Sequence, residues 1–428
     1  MNRRTRRIRR LLLLGAAVLC VGAGLGLMAT DALRRLDLNS VDMRFDVRGA
    51  QPTPKSVVIV AIDDKTVNAP RHTWPFNRRY HARVIRNLAK AGAAVIAYDV
   101  QFTTISPDPG ADTALVLASR AAAPRVVMGT TAISDEGTTN IFGGGRGLKI
   151  SRATPAFSGF VKDSDGVTRH MPDAENGVAA FAVAAAQIRL GHRINAPSDN
   201  SAWIDFKGPP RTFPYLSFID VEQGKFDPAA VKGKVVVVGS SATVLQDIRD
   251  TSTTGQEAMP GPEVHANAIT TALAGFPLHS GPGGVNVLLV VLLGATAPLA
   301  AIALRMLFAV PIGILAIVGL IVGAQMAFNH DVIISAVYAL VAGVAALLLT
   351  GAIHGVTVAF ERANTRDAFA RFVPESVVDQ VLQDAEGVRL GGVRGEATVM
   401  FSDLRGFTSF AETLQPEQVI DALNRYLT

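Results

Sequence analysis

Three stretches of this chain, Val285–Leu304, Leu307–Phe328 and Val332–Ile353, each run for 20 to 22 residues without a charged side chain. The core of a water-soluble domain would break such runs with charge, whereas a hydrocarbon layer of about 30 Å requires runs of this length. A fourth uncharged stretch, Leu11–Ala29, follows Arg3, Arg4, Arg6, Arg7, Arg9 and Arg10. With 49% hydrophobic residues, the 428-residue chain is too apolar for an ordinary soluble protein and reads as a multi-pass membrane protein with four spans.

The formal net charge of +5 would be compatible with nucleic acid, but six arginines and no acid fall in residues 1–10, so the remainder sums to −1. The basicity is a topology signal, and no nucleic-acid partner is expected. The arginines hold residues 1–10 in the cytoplasm, so the first span runs outward and residues 31–284 are extracytoplasmic. Arg305 then falls in a cytoplasmic turn, Asn329-His330-Asp331 in an outer one, and Glu361, Arg362, Arg366 and Arg371 inside. Cleavage of the first span as a signal peptide would leave the other three ending inward all the same, and Leu19 before Cys20 does not suit a lipoprotein site. Cys20 is the sole cysteine, so no disulfide forms within the chain, and it is expected to act as a small packing residue.

Within residues 31–284, Ser56–Asp63 and Ala94–Asp99 are continuous apolar strands around a helical stretch from Arg78 to Ala91. Arg125–Gly129 and Lys234–Gly239 repeat the strand pattern. Strands buried on both faces and alternating with helices predict a parallel sheet in an α/β domain. Asp63, Asp99 and Gly239-Ser240-Ser241 fall at strand ends, where open α/β sheets bind ligands, although caps and turns are the simpler reading. Asp163-Ser164-Asp165-Gly166 has its glycine too early for a calcium loop and predicts a hairpin turn. Gly143–Gly147 predicts a flexible loop.

The order of motifs in this segment resembles the CHASE type 2 domain, a sensory domain associated with cyclases and histidine kinases. The matching pieces are VVIVAIDD at 57–64, Trp74-Pro75, GAAVIAYDVQF at 92–102, DSDGVTRH at 163–170, GKVVVVGSSA at 233–242 and MPGPEVHANAITTALAG at 259–275. The resemblance implies a stimulus sensor followed by three membrane helices. It leaves the extracytoplasmic ligand unknown.

Residues 354–393 read as a helical linker, with a new helix at Pro374-Glu375 presenting Val377, Val378, Val381 and Leu382. In Ala397–Thr408, ATVMFSDLRGFT, an apolar strand ends on Asp403 and turns into Ser409-Phe410-Ala411-Glu412, which has the form of a capping box. Backbone N–H groups of Gly406, Phe407 and Thr408 would face an anion, with Asp403 holding a hard cation against it. Pro416 opens a helix with Val419, Ile420, Leu423, Tyr426 and Leu427 on one stripe, which expects a sheet to pack on.

The run Phe401–Thr408, with Arg371-Phe372-Val373-Pro374-Glu375 upstream, resembles the opening of the class III nucleotidyl cyclase domain, which has an α+β, ferredoxin-like fold. The resemblance implies that Asp403 and the Leu404 carbonyl bind the two catalytic ions, Mg²⁺ or Mn²⁺, and that Phe407 and Thr408 cradle the triphosphate. It further implies attack of the ribose 3′-hydroxyl of ATP (or GTP) on the α-phosphate, a homodimer, and a bacterial inner-membrane location. A second metal-binding Asp, the base-selecting residues and an Asn/Arg pair belong further along such a domain. Residues 394–428 are therefore expected to be its N-terminal fragment, and the 428-residue chain inactive by itself. The alternative is a membrane sensor or dimerisation protein with a degenerate output domain. A histidine-kinase output is a weaker alternative, since neither a phospho-acceptor helix nor ATP-binding glycine boxes appear in these residues.

Overall fold

Six short apolar strands form one sheet in the first compact unit: β1 (Val57–Ile62), β2 (Val95–Tyr98), β3 (Val126–Thr130), β4 (Thr154–Phe157), β5 (Tyr215–Ser217) and β6 (Val235–Ser240). In the computed structural model, which describes residues 3–70, 72–195, 201–255, 257–304, 306–370, 396 and 398–427, they make one sheet in the order β4-β3-β2-β6-β1-β5. Every pairing is parallel, with Val57 beside Val235 and Val95 beside Val235 on its other side.

Successive side chains in a strand point to opposite faces, and here both faces are dry. Val57, Ile59 and Ala61 of β1 join Val235 and Val237 of β6 beneath the helices Phe181–Leu190 and Gly261–Leu273. Val58, Val60 and Ile62 join Val236 and Val238 on the other face, against the helices Arg78–Lys90 and Pro109–Ala122. This is the α/β sandwich expected from the alternation. The expected strand ends shift by one residue at most, and the edge strands β4 and β5 are additions. Gly239 allows the Gly261–Leu273 helix to lie close, since a Cβ there would stand 2.9 Å from the Pro262 side chain.

Four helices are long and apolar enough to cross a membrane: Thr5–Ala29, Gly283–Ala303, Met306–Asn329 and Val337–Asn364. Gly294 lets the first two approach, for a Cβ on it would stand 2.9 Å from the Val21 side chain, an example of small-residue packing between membrane helices. The expected fourth span, 332–353, is corrected at its start. Val332–Ile333 is a short strand pairing with His279–Ser280, and the helix begins only at Val337 and continues to Ala370. Backbone groups at 332–333 are satisfied by a strand partner, which hydropathy alone does not register. The 354–393 linker is thus helical as far as Ala370, while Arg305 and the Arg371–Pro374–Leu382 segment lie outside the described residues.

A helix absent from the sequence reading, Arg34–Arg48, joins the first apolar helix to the α/β domain. Its Val41 and Phe45 enter the same core cluster as Phe328, at the end of the apolar helix Met306–Asn329, and Ile333, with the Phe45 and Phe328 rings 4.9 Å apart. Arg44 donates to the Ile334 carbonyl at 2.8 Å, and Arg48 pairs with Asp205 at 2.6 Å. The Gly143–Gly147 loop is corrected as well: a helix spans Gly145–Ser151.

The second compact unit, Phe360–Thr428, contains the short helix Phe407–Ala411 and the helix Pro416–Leu427. A cavity of about 330 Å³ is lined by Leu404, Phe407, Phe410, Leu423 and Tyr426. The apolar stripe of the last helix remains open, with Ile420, Tyr426 and Leu427 exposed.

Candidate functional site

The helices that follow β1 and β2 lie on one face of the sheet, and the helix that follows β6 lies on the other. Adjacent strands whose outgoing chains diverge in this way leave a crevice at their carboxyl ends, the usual ligand position in an open α/β sheet. β6 has such a crevice on both sides.

Between β2 and β6 the crevice is closed by a buried polar cluster. Asp99 follows β2, with its N–H on the Val238 carbonyl at 2.7 Å and its carboxylate 3.4 Å from His265 Nε2. His265 sits on the Gly261–Leu273 helix between the rings of Phe160 and Phe181, each 4.6 Å away. Asp247 accepts the Gly261 N–H through its carbonyl at 2.9 Å, and its carboxylate lies directly against Gly261. Arg249 reaches over the Phe160 ring at 5.4 Å.

Burial dominates the titration of these groups. It pushes Asp99 up to about 7 against the opposing Arg249 charge and a Ser158 hydrogen bond. Burial, reinforced by the Asp99 charge, pushes Asp247 up to about 6. The same dehydration holds His265 down at about 3.

Between β1 and β6, Asp63 is a cap. It accepts from the Thr66 N–H at 2.9 Å and from the Thr66 and Ser217 hydroxyls at 2.6 and 2.9 Å. A cavity of about 740 Å³ lies beside it, lined by Lys65, Arg211, Tyr215, Ser241 and Glu257 among others. Of the strand-end residues singled out in the sequence, Asp63 therefore orders a loop, whereas Asp99 belongs to the buried cluster.

Asp163–Gly166 does form a turn, closed by Asp163 N–H on the Val167 carbonyl at 3.0 Å. Its acids bind Arg169, whose fully buried guanidinium also meets Asp42 of the Arg34–Arg48 helix at 2.5 Å. The sequence reading missed Arg169, whose link to Asp42 spans 127 residues although Asp163 and Asp165 are near in the chain; it also missed His265, Asp247 and Arg249, which meet Asp99 only across the fold.

In the second unit, Asp403 is exposed and precedes a turn in which Phe407 N–H bonds the Leu404 carbonyl at 3.0 Å. Gly406, at φ +75°, is the N-cap of the helix Phe407–Ala411, which contains Thr408. The expected capping box is not formed, because Ser409 lies inside that helix. The expected strand does not form among the described residues: 398–403 find no strand partner there, and Val399, Met400 and Phe401 are exposed. A strand persists only where neighbours satisfy its backbone. Ala397 lies outside the described residues. Asp403 and the Leu404 carbonyl are hard oxygen donors suited to a divalent cation, but among the described residues no group of three or more metal-binding side chains surrounds them.

The chain thus joins a two-faced parallel α/β domain to helices long and apolar enough to cross a membrane. Residues 15–296, more than half of the chain, match the CHASE2 domain, and the chain belongs to the CHASE2 domain family. The match extends beyond the expected 31–284 into the apolar helices on both sides. A stretch of 65 residues is 35% identical to an adenylate cyclase from Anabaena cylindrica, covering 15% of this chain and 13% of that relative's length. No solved structure matches.

Proposed function

We propose that this chain belongs to a receptor nucleotidyl cyclase, in which the α/β domain receives a stimulus outside the inner membrane and the segment around Asp403 serves a cytoplasmic cyclase. The observation that carries this reading is the presence in one chain of a CHASE2 domain, four apolar helices and the run Phe401–Thr408. The partial likeness to an adenylate cyclase favours ATP over GTP as substrate. Asp403 and the Leu404 carbonyl would hold Mg²⁺ or Mn²⁺, and the Gly406–Thr408 turn would receive the triphosphate. Bound cations of this kind neutralise charge developing on transferred phosphates. The protein acts as a homodimer in this reading.

The test is cyclic AMP formation by membranes carrying the full reading frame that contains these residues. Activity should require Mg²⁺ or Mn²⁺, and Asp403→Ala should remove nearly all of it while the α/β domain stays folded. Absence of cyclic AMP and cyclic GMP from the parent protein would favour the non-catalytic sensor, and full activity of Asp403→Ala would remove Asp403 from the metal site.

A further inference from the structure

Asp99, Asp247 and His265 come from three separate elements and converge under the start of the Gly261–Leu273 helix. The helix lies against β6 at Gly239, so anything that lifts its first turns opens the β2–β6 crevice. The groups facing the cluster are few. Arg249 is the cation beside it, and Ser158 from the loop after β4 hydrogen-bonds Asp99. The Phe181–Leu190 helix presents the Phe181 ring and no charge, and the loop after β4 presents Phe160. Glu263, on the same helix, is occupied by the backbone N–H groups of Arg211, Thr212 and Phe213, and Asp63 at the end of β1 by Thr66 and Ser217.

The helix also has a direct path to the membrane. From Leu273, residues 274–282 lead into the membrane helix Gly283–Ala303, and on the way His279–Ser280 pairs with Val332–Ile333 ahead of the helix Val337–Ala370. A displacement of the Gly261–Leu273 helix therefore acts on two membrane helices through covalent and strand contacts.

We propose that the α/β domain senses protons: while the Asp99 and Asp247 carboxyls are protonated beside a neutral His265, the Gly261–Leu273 helix is seated on β6, and the net loss of protons from this cluster to bulk water releases it. This deepens the sensor reading and rests on the domain's lying outside the membrane.

The sign follows from proton counts. The two carboxyls are raised in the seated state, so they favour it at low pH and this support is lost as pH rises through about 6 to 7. His265 is depressed, so it favours the seated state above its ordinary value of about 6.5 and opposes it as pH falls toward about 3. With about 3.9 for each carboxyl and 6.5 for the imidazole in the released state, the sum leaves the acids dominant. The release equilibrium then rises roughly 25-fold between about pH 5 and 8. Placing the shared proton on Asp99 or on His265 does not alter the count.

The experiment is hydrogen exchange of the full chain in lipid nanodiscs, following the amides of residues 261–273 across that pH range after correction for intrinsic rates. The wild type should lose protection toward alkaline pH by about the stated factor. In Asp99→Asn/Asp247→Asn only His265 still titrates, so the dependence should reverse, with protection falling toward acid by roughly 30-fold. A flat wild-type profile, or a double variant that keeps the wild-type direction, overturns the proposal. Should the double variant not fold, infrared titration of the wild type decides: a protonated carboxyl band that persists at neutral pH supports it, and its absence overturns it. The readout needs no nucleotide. A protein expressed from the full reading frame that titrates in this way but forms no cyclic nucleotide overturns the cyclase reading alone, and a cyclase whose helix ignores pH overturns the proton reading alone.

Discussion

Replacing Arg169 with methionine tests what fastens the α/β domain to its juxtamembrane helix. Arg169 is fully buried and binds Asp163 at 3.0 Å, Asp165 at 2.8 Å and Asp42 at 2.5 Å, so the variant leaves three carboxylates around an apolar side chain. Removing one partner from a buried ion cluster costs about 3–5 kcal/mol, because the remaining charges stay dehydrated. Methionine retains most of the packing volume, which isolates the charge effect. Burial pushes Asp163 up, but hydrogen bonds from His170 and Arg169 hold it below the usual carboxylate range, and the Arg169 hydrogen bond does the same for Asp165. Depressed carboxylates stabilise the fold above their unfolded value of about 3.9 and lose that contribution as pH falls through the lower folded value. In Arg169→Met the same acids prefer to be protonated, so the deficit should be greatest at neutral pH and shrink toward about pH 4. The assay is urea unfolding of the full chain in detergent, read through Trp203, whose ring lies 4.0 Å from that of His170, in a Trp74→Phe background. A loss below about 1 kcal/mol at neutral pH, or a deficit that does not vary with pH, would refute the argument.

Glu263→Ala should destabilise the 208–215 loop by at least about 3 kcal/mol, since it strips acceptors from three backbone N–H groups and from the Tyr215 hydroxyl. Limited proteolysis should then cut that loop first, and an unchanged cleavage pattern would contradict the assignment. Reporter fusions after Phe45, Arg305, Asp331 and Arg371 should read out, in, out, in; an outward-facing fusion at Arg371 would remove the cyclase reading, because nucleoside triphosphates are cytoplasmic.

Hydropathy and alternation were sufficient for β1, β2, β3 and β6, because a central parallel strand is dry on both faces and so is apolar at every position. They were insufficient for β4 and β5. Those are edge strands with a single neighbour, and Pro155 in β4 and the short Tyr215–Ser217 segment carry little strand signal. The same limit explains the 332–333 strand, hidden inside an apolar run, and the expected strand before Asp403, which finds no partner among the described residues.

The sequence by itself determined the number of apolar spans, the α/β class of the domain between them and the family likeness, because each is written in local composition or in ordered short motifs. Tertiary structure alone decided which strand-end acids matter. Asp63 and Asp99 look alike in the chain, each closing an apolar strand. One meets Thr66 three residues on and becomes a cap, while the other meets His265, Asp247 and Arg249 across the sheet. Dehydration and the field of distant charges set the chemistry of Asp99, and both arise only once the chain has folded.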